Sequence, residues 1–392
     1  MQPERAERLA ELDWLRVLAV LLLVYYHTAA IFVHWDSVVN NPEPSLWADI
    51  FILFVDQWYM PLFFLIAGAS TRFSLERRSG LAYAGERMKR LFVPLVFGML
   101  VVVPPQVYFE RLQDGLFRGS FLDFYGHLFD GFYPAGNLSW HHLWFVAYLL
   151  VLSLCSLPVL LWLKGSGRPV LEKLCGLLRR RGLWLFLPSL PLAATETLLR
   201  PRFSGPANFV DDWASVCFFG LFFLYGNILY SDERALKTAE THRRWILTTA
   251  VGSSAAGIVL FLSGRIPGYG NPLPQGVSPG WVLLMLLRGV NAWAWVLFWV
   301  ALARRRLAFR SRLLAYASEA AYPFYILHET WIVAIGYQVA RLDWGVAAKY
   351  LAISTAGLAA TLFSYEILVR RIAPIRFFLG MRPVRPLPAQ PG

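Results

Sequence analysis

The sequence predicts an all-α, polytopic integral membrane protein with about ten transmembrane helices and both termini in the cytoplasm. Three observations carry this prediction: the composition, the length of the apolar runs, and the uneven placement of Lys and Arg. Of the 392 residues, 57% are hydrophobic and only 16% are charged, which leaves too little polar surface to cover a soluble globule. We therefore interpret 1–392 as one membrane domain, with short cytoplasmic tails at about 1–12 and 371–392.

The apolar residues recur in runs of about twenty, which is the length that crosses a hydrocarbon layer of roughly 30 Å as a helix. An even number of crossings places both chain ends on the same side of the membrane. To within a few residues at each boundary, we expect transmembrane helices at 13–34, 48–70, 91–107, 143–163, 182–199, 212–230, 245–262, 281–303, 319–339 and 350–369.

The basic residues determine the expected orientation. Lys and Arg concentrate in alternate connections, among them 72–90, 164–181 and 304–312, whereas the connections between these carry few. The positive-inside rule places the basic connections in the cytoplasm, so we expect the chain in the cell inner membrane, surrounded by membrane lipids. The net charge of +12 follows from this topology, and no nucleic-acid partner is expected.

Ionisable residues within the apolar spans are the first candidates for chemistry, since a charge in a hydrocarbon layer is costly unless it faces a cavity or a partner. Arg16 and His27 lie eleven residues apart on the first predicted helix. That spacing puts them within about 20° of one another around the axis and about 16 Å apart along it, so both are expected to face one cavity. The alternative is that Arg16 reaches the headgroups and His27 is a buried structural histidine.

Further ionisable residues lie at a similar depth when residues are counted inward from the predicted span ends. Asp56, Glu196 and Arg288 reach about the level of His27, and His328 lies somewhat lower on the ninth predicted helix. Such a layer indicates a hydrated reaction chamber or a path for a polar substrate. The alternative is a structural ion pair, for which Asp56 and Arg288 are the first choice.

Five short motifs carry a resemblance to a known family, and they occur along nearly the whole chain. They are Leu12–Arg16 with His27, Met60–Gly68, Arg87–Pro94, His142–Phe145 and Ser318–His328. In this order they resemble the acyltransferase family 3 membrane enzymes, which transfer acyl groups from cytoplasmic acyl-CoA to carbohydrate or other acceptors. The segment Glu43–Trp47 resembles the branch that succinylates periplasmic glucans. Ala67 stands where many members have Ser, so no hydroxyl role is transferred to that position.

The resemblance implies that acyl-CoA binds from the cytoplasm as a co-substrate and that the acceptor is a carbohydrate or glycan hydroxyl. Acyl transfer needs a base for that hydroxyl and a donor for the developing oxyanion. His27 is the expected base, and Arg288 or Tyr322 is the expected contact of the oxyanion or of an acyl carboxylate. The expected site residues are His27, Arg16, His328 and Asp56 for catalysis, Arg16, Arg87, Arg90 and Tyr322 for acyl-CoA, and Glu196, Arg288, Trp144 and His142 for the acceptor.

Neither a metal site nor a permanently bound cofactor is expected. The seven histidines are scattered over different predicted elements, and the sequence shows no metal-ligand cluster and no nucleotide-binding glycine loop. The oligomeric state stays open.

Alternatives remain for the route and for the class of function. The acyl group passes directly from CoA to the acceptor, or it is first held on the enzyme, with His27 as one candidate carrier. A transporter or flippase of a polar or glycan substrate would also have ten spans with buried charges, although no internal repeat is visible; a catalytically silent assembly subunit is the third class. The aromatic segment 108–142 either stacks on sugar rings or forms an interfacial aromatic belt.

Overall fold

The regular structure of the protein is helical. The computed structural model describes residues 10–180, 182–203, 205, 207–266 and 276–381. Within these ranges the elements are helices, and extended backbone pairs only in an isolated bridge between Phe132 and Leu138. The predicted all-α class is therefore confirmed for the described residues. The predicted tails lie partly outside them, at 1–9 and 382–392, as does Arg181 of the basic segment 164–181.

The helices divide between two compact units. The first unit holds the described residues of Met1–Ala19, Leu46–Gly85 and Tyr148–Ala315, and the second holds those of Val20–Ser45, Glu86–Ala147 and Tyr316–Gly392. In chain order the helices are α1 (Ala10–Ala29), α2 (Leu46–Asp56), α3 (Tyr59–Arg77), α4 (Gly80–Arg87), α5 (Val93–Phe97), α6 (Pro104–Gln113), α7 (Phe121–Gly126), α8 (Trp144–Cys155), α9 (Leu157–Lys164), α10 (Arg168–Leu178), α11 (Ser189–Leu199), α12 (Trp213–Leu229), α13 (Glu233–Thr241), α14 (Arg243–Leu262), α15 (Pro279–Arg306), α16 (Arg312–Val339), α17 (Val346–Ser364) and α18 (Ala373–Phe378).

Six helical stretches of the described chain are long and apolar enough to cross a membrane. They are Ala10–Phe32, Leu46–Arg77, Gly80–Gln113, Arg243–Leu262, Pro279–Arg306 and Val346–Val369. Two bent pairs, α8 with α9 and α12 with α13, raise the number to eight if each pair crosses as one span. The chain thus has the helices of a polytopic membrane protein. The count of ten and the cytoplasmic position of the termini stay predictions.

Proline accounts for two departures from the straight predicted spans. The predicted helix 143–163 is bent by 47° between α8 and α9, where Pro158 stands in the first turn of α9. In the predicted helix 182–199, Pro188 separates a short 3₁₀ turn from α11, which has only 11 residues. Proline lacks the N–H that would continue a helical hydrogen-bond ladder, so an apolar run of spanning length becomes two shorter pieces.

In the second unit, helix α16 is tied to its neighbours by side-chain hydrogen bonds. The Thr330 hydroxyl donates to the carbonyl oxygen of Val102 (2.6 Å), just before α6, and the Trp331 indole donates to Ser364 Oγ on α17 (3.0 Å). Both side chains therefore satisfy polar groups that would be costly to bury alone. These bonds fix the face of α16 that carries the two preceding residues, His328 and Glu329.

In the first unit, α3 and α12 approach closely at two glycines. A Cβ atom at Gly68 would lie 1.8 Å from the carbonyl oxygen of Phe223, and one at Gly226 would lie 2.0 Å from that of Leu65. Small residues allow helix backbones to touch, which strengthens van der Waals packing where lipid offers no hydrophobic driving force. Gly68 ends one of the motifs noted in the sequence, and its structural reason is this contact.

We predict that Gly68→Ala destabilises the protein by about 1–3 kcal/mol, because the added methyl must push two packed backbones apart. The measurement is the thermal unfolding midpoint of the detergent-solubilised protein. Gly252→Ala is the matched control: it lies inside α14 with no atom within 4 Å of the position of its Cβ. An unchanged midpoint for Gly68→Ala would show that the α3 and α12 backbones are not in contact.

Candidate active site

Three histidines and one glutamate meet in the second unit. Helix α1 supplies His27, the turn before α8 supplies His142, and α16 supplies His328 and Glu329. His27 Nδ1 lies 3.3 Å from Glu329 Oε1, and His142 Nδ1 lies 3.2 Å from Glu329 Oε2. Glu329 is 6% exposed, so its carboxylate depends on neighbouring side chains for the partners that water would otherwise provide.

The protonation of His142 can be assigned from its hydrogen bonds. Its Nε2–H donates to the carbonyl oxygen of Ile326 (2.9 Å), which leaves Nδ1 as the acceptor. The Gln106 amide nitrogen lies 3.3 Å from that Nδ1 and also donates to Thr330 Oγ1 (2.7 Å). His142 is thereby held as a neutral imidazole, and Glu329 Oε2 has no hydrogen-bond donor among the described residues.

His328 presents an unused ring nitrogen to the same cluster. Its Nδ1–H donates to the carbonyl oxygen of Tyr325 (2.6 Å), and its Nε2 is buried without a partner among the described residues. The ring meets those of His27 and His142 edge to face, at centroid distances of 5.1 and 5.4 Å. Two buried lone pairs, on His328 Nε2 and Glu329 Oε2, are thus available to a group that brings hydrogens or positive charge.

The cluster also has the donor types of a metal site. His27, His328 and Glu329 each offer one ligand atom, and these atoms lie within 4.8 Å of one another. Two imidazoles and a carboxylate suit Zn²⁺, and the bond from His328 to a backbone carbonyl is typical of metal-ligating histidines. The distance of 3.3 Å between His27 Nδ1 and Glu329 Oε1 also suits a direct hydrogen bond without a metal.

The fold brings three of the predicted site residues, His27, His142 and His328, together with two side chains that were not predicted. Glu329 directly follows His328 in the chain and was not among the predicted site residues, although a carboxylate within an apolar span is itself a signal. Gln106 is a polar residue at the end of the predicted span 91–107, after two prolines. Trp144, predicted for the acceptor, is the first residue of α8 and half-buried.

Three of the residues predicted to contact acyl-CoA, Arg87, Arg90 and Tyr322, belong to the second unit. Arg90 pairs with Glu86 (3.5 Å) and its Nε approaches the carbonyl oxygen of Gly380 (3.4 Å). A Cβ at Gly380 would lie 2.7 Å from the Tyr322 ring, so this glycine lets the chain after α18 pack against that tyrosine. Arg87 ends α4, one turn before Arg90. The assignment of these side chains to CoA stays a prediction.

The predicted acceptor contacts Glu196 and Arg288 belong to a charge network in the first unit, in which Glu196 is buried and the Arg288 side chain is 46% exposed. Glu196 Oε1 lies 2.7 Å from Arg200, its Oε2 lies 3.4 Å from Arg288, and Arg200 also approaches Asp212 (3.3 Å). Glu196 is thus a partner of Arg288, although the sequence analysis had put Asp56 first for that role. Asp56 is the exposed last residue of α2.

Arg16 also belongs to the first unit. Its guanidinium lies 2.7 Å from Asp13 Oδ1, and both side chains are more than one third exposed. The sequence motif Leu12–Arg16 therefore contains a local ion pair between residues three apart on α1. Such an exposed pair stabilises a helix only weakly, so the guanidinium remains available to another anion.

Comparison with known proteins identifies the chemistry that these residues accompany. The model of acyltransferase family 3, described as an acyltransferase domain, matches residues 9–366. The chain is 23% identical over 391 residues to the glucans biosynthesis protein C of Salmonella paratyphi A, covering 95% of each chain. It is 30% identical over 157 residues, 39% of each chain, to the protein of that name from Escherichia coli strain SMS-3-5. No solved structure matches.

Replacing Glu196 tests the charge network of the first unit. We predict that Glu196→Gln destabilises the protein by about 3 kcal/mol, at the low end for a broken buried pair, because Asp212 still faces Arg200. The thermal midpoint in detergent reports the change, with Leu198→Ala as the control on the exposed side of α11, where the side chain is 62% exposed. Equal midpoints for the two variants would contradict a structural role for the network.

Proposed function

Since this chain belongs to acyltransferase family 3, we propose that it transfers an acyl group, succinyl or acetyl, from acyl-CoA to a hydroxyl of a glucan, with His27 as the base. The observation that carries the proposal is the contact of 3.3 Å between His27 Nδ1 and the buried carboxylate of Glu329. The glucan acceptor is supported by the relatives named glucans biosynthesis protein C. The reaction makes the protein a membrane-bound O-acyltransferase.

The proposed mechanism begins with the tautomer of His27. Glu329 Oε1 accepts the Nδ1–H of His27, so the lone pair is on Nε2, where it can take the proton of an acceptor hydroxyl. The hydroxyl oxygen then attacks the carbonyl carbon of the acyl group, the new ester bond forms, and the bond from that carbon to the group that carried it breaks. Glu329 stabilises the imidazolium that forms, because its negative charge is already in place and needs no reorganisation.

The other two histidines support this centre. His142, held by Ile326 and Gln106, limits the position of the second Glu329 oxygen. His328 Nε2 is a buried acceptor, and we propose that it receives a hydrogen bond from a second hydroxyl of the same sugar. Adjacent hydroxyls are a property of sugars, so this pair of acceptors favours a carbohydrate over a simple alcohol.

The remaining contacts are proposed from the sequence motifs. The phosphates of CoA carry negative charge that arginine guanidinium groups bind well, and Tyr322 has a buried hydroxyl that can donate. The basic connections favour a cytoplasmic donor side in the inner membrane, with both termini in the cytoplasm. The proposed donor contacts are Arg16, Arg87, Arg90 and Tyr322; the proposed acceptor contacts are Glu196, Arg288, Trp144 and His142; and Asp56 is the further proposed catalytic residue.

We predict that His27→Gln lowers the turnover of acyl-CoA in the presence of glucan by about 10²–10⁴-fold, because the base is lost while the size of the side chain is kept. Release of free thiol from succinyl-CoA and acetyl-CoA by the purified protein is the measurement. His242→Gln, at the junction of α13 and α14, is the histidine control. Turnover at the wild-type rate in His27→Gln would exclude His27 as the base.

The substitution Glu329→Gln tests whether turnover depends on the orientation of His27 and not only on its presence. We predict a loss of turnover of about 10²–10⁴-fold, because an amide in place of the carboxylate can reverse the tautomer of a catalytic histidine and does not stabilise the imidazolium. Comparison with Glu366→Gln, a half-buried carboxylate of the second unit that accepts a hydrogen bond from Tyr316, controls for the loss of a charge. The carboxylate has no such role if both variants retain wild-type turnover.

A further inference from the structure

A second group of buried polar residues lies in the second unit, outside the histidine cluster. Ser139 Oγ is 2.9 Å from His141 Nδ1, and His141 Nε2 is 3.5 Å from Glu110 Oε2. Ser139 and Glu110 are each less than one tenth exposed, as is the His141 side chain. A hydroxyl, an imidazole and a carboxylate in this order are the parts that activate a serine nucleophile.

The hydrogen bonds of this group favour the tautomer that activation requires. Ser139 Oγ accepts the backbone N–H of His141 (3.0 Å), so the hydroxyl hydrogen is free to point to His141 Nδ1. That nitrogen must then carry the lone pair, and the ring hydrogen is on Nε2, facing Glu110. Neither Nε2 nor Glu110 Oε2 has another partner among the described residues. The spacing of 3.5 Å is longer than a formed bond, as is common before substrate binds.

Tyr133 holds the Glu110 carboxylate and the His141 imidazole in place. Glu110 Oε1 accepts the hydroxyl of Tyr133 (2.9 Å), and the Tyr133 ring meets that of His141 edge to face at 4.9 Å. The Arg111 guanidinium lies 5.6 Å from the centre of the Tyr133 ring. Burial and, after it, the charge of Glu110 raise the pKa of the Tyr133 phenol, so this residue stays protonated and donates to Glu110.

The backbone at His141 is strained. Its φ is +36°, in the left-handed region where side chains other than glycine are disfavoured. Such residues persist only where the surroundings enforce them, and they gather at functional sites. A turn that merely satisfied Ser139 would not need a histidine in this conformation. The strain aims the imidazole at Ser139 and Glu110 and sends the next residue, His142, to the other cluster.

The two clusters share one face of helix α6. Gln106, which contacts His142, and Glu110, which contacts His141, are four residues and therefore about one turn apart. Consecutive histidines thus reach consecutive turns of α6, at positions about 6 Å apart along the helix axis.

From these contacts we infer that Ser139 is a nucleophile that carries the acyl group as an ester, activated by His141 and Glu110. The inference rests on the proposed function and assigns its route. Ser139 Oγ attacks the thioester carbonyl, the O–C bond forms and the C–S bond breaks. His141 Nδ1 takes the hydroxyl proton and gives it to the departing thiolate, so free CoA leaves. Ser139 is the catalytic residue of this half-reaction, and Glu110 is a positioning residue.

The second half-reaction transfers the acyl group to the glucan. A glucan hydroxyl attacks the Ser139 ester carbonyl, and the bond from the carbonyl carbon to Ser139 Oγ breaks. His27 takes the proton of the attacking hydroxyl and releases it to solvent, while His141 receives a proton from solvent and returns it to Oγ. No proton is gained or lost overall. The base at His27 and the ester at Ser139 thus act in the same step.

The test is to find the ester. The purified full-length protein is incubated with isotope-labelled succinyl-CoA or acetyl-CoA without acceptor, quenched in acid and digested. The mass of the peptide that contains Ser139 is then measured by mass spectrometry. We expect a burst of about one CoA per chain and a hydroxylamine-sensitive acyl group on Ser139. In His27→Gln the ester should accumulate even with glucan present, because only the second half-reaction has lost its base.

Substitutions distinguish a nucleophilic role of Ser139 from a structural role in its turn. Ser139→Ala should lose both the burst and the label, whereas Ser139→Cys, which keeps a nucleophile, should carry a thioester. Ser120→Ala is the matched control: this serine lies in the same segment but its hydroxyl bonds Asp123 (2.6 Å), with no imidazole. It should keep the burst and the label.

Two outcomes overturn the inference, and they differ in what happens to the proposed function. If the wild type transfers the acyl group to glucan while Ser139 stays unmodified, in the wild type and in His27→Gln, the transfer is direct and only the inference fails. If no donor yields free CoA with or without glucan, the proposed function fails and the inference falls with it.

Discussion

The second unit is organised around a carboxylate that has been taken out of water. An ionised Glu329 inside an apolar helix bundle would cost several kcal/mol without a partner, and the imidazole that provides one, His27, comes from α1, far from α16 in the chain. The other neighbour of the carboxylate, His142 at the start of α8, is held in its own position by Ile326 and by Gln106, which also donates to Thr330. The same contacts that make the carboxylate tolerable also fix the tautomers that acid–base chemistry requires.

The sequence predicted the helical class and singled out particular side chains as candidates, because both steps use local information. Apolar runs of spanning length and the rarity of histidine in them single out His27 and His328 without any structure. Pairing is a different matter: His142 and Ile326 are 184 residues apart in the chain, and no spacing rule connects them. His142 was therefore assigned to the acceptor from its motif alone. Glu329 was passed over because depth counting treats helices as straight and ranks residues one at a time.

The aromatic segment 108–142 shows the same limit in another form. Its aromatic residues are conspicuous in composition, and they directed attention to sugar stacking or an interfacial belt. Glu110 lies three residues after the predicted span 91–107, within this segment, and did not enter that comparison, although it contacts His141, next to His142 of the candidate site. Helix α6 supplies the link, since Gln106 and Glu110 on one of its faces serve two successive histidines. A turn of backbone that holds His141 at φ +36° is invisible in a sequence that has no glycine there.

The most direct test of the account uses inside-out membrane vesicles that enclose a glucan, with labelled succinyl-CoA added to the outer solution, which is the cytoplasmic face. The donor cannot cross the membrane, so label reaches the enclosed glucan only if the protein takes the acyl group from one side and transfers it to the acceptor. The account predicts labelled glucan with the wild type and none with His27→Gln. Unlabelled glucan that leaves the vesicles while succinyl-CoA stays intact would contradict it and identify a transporter.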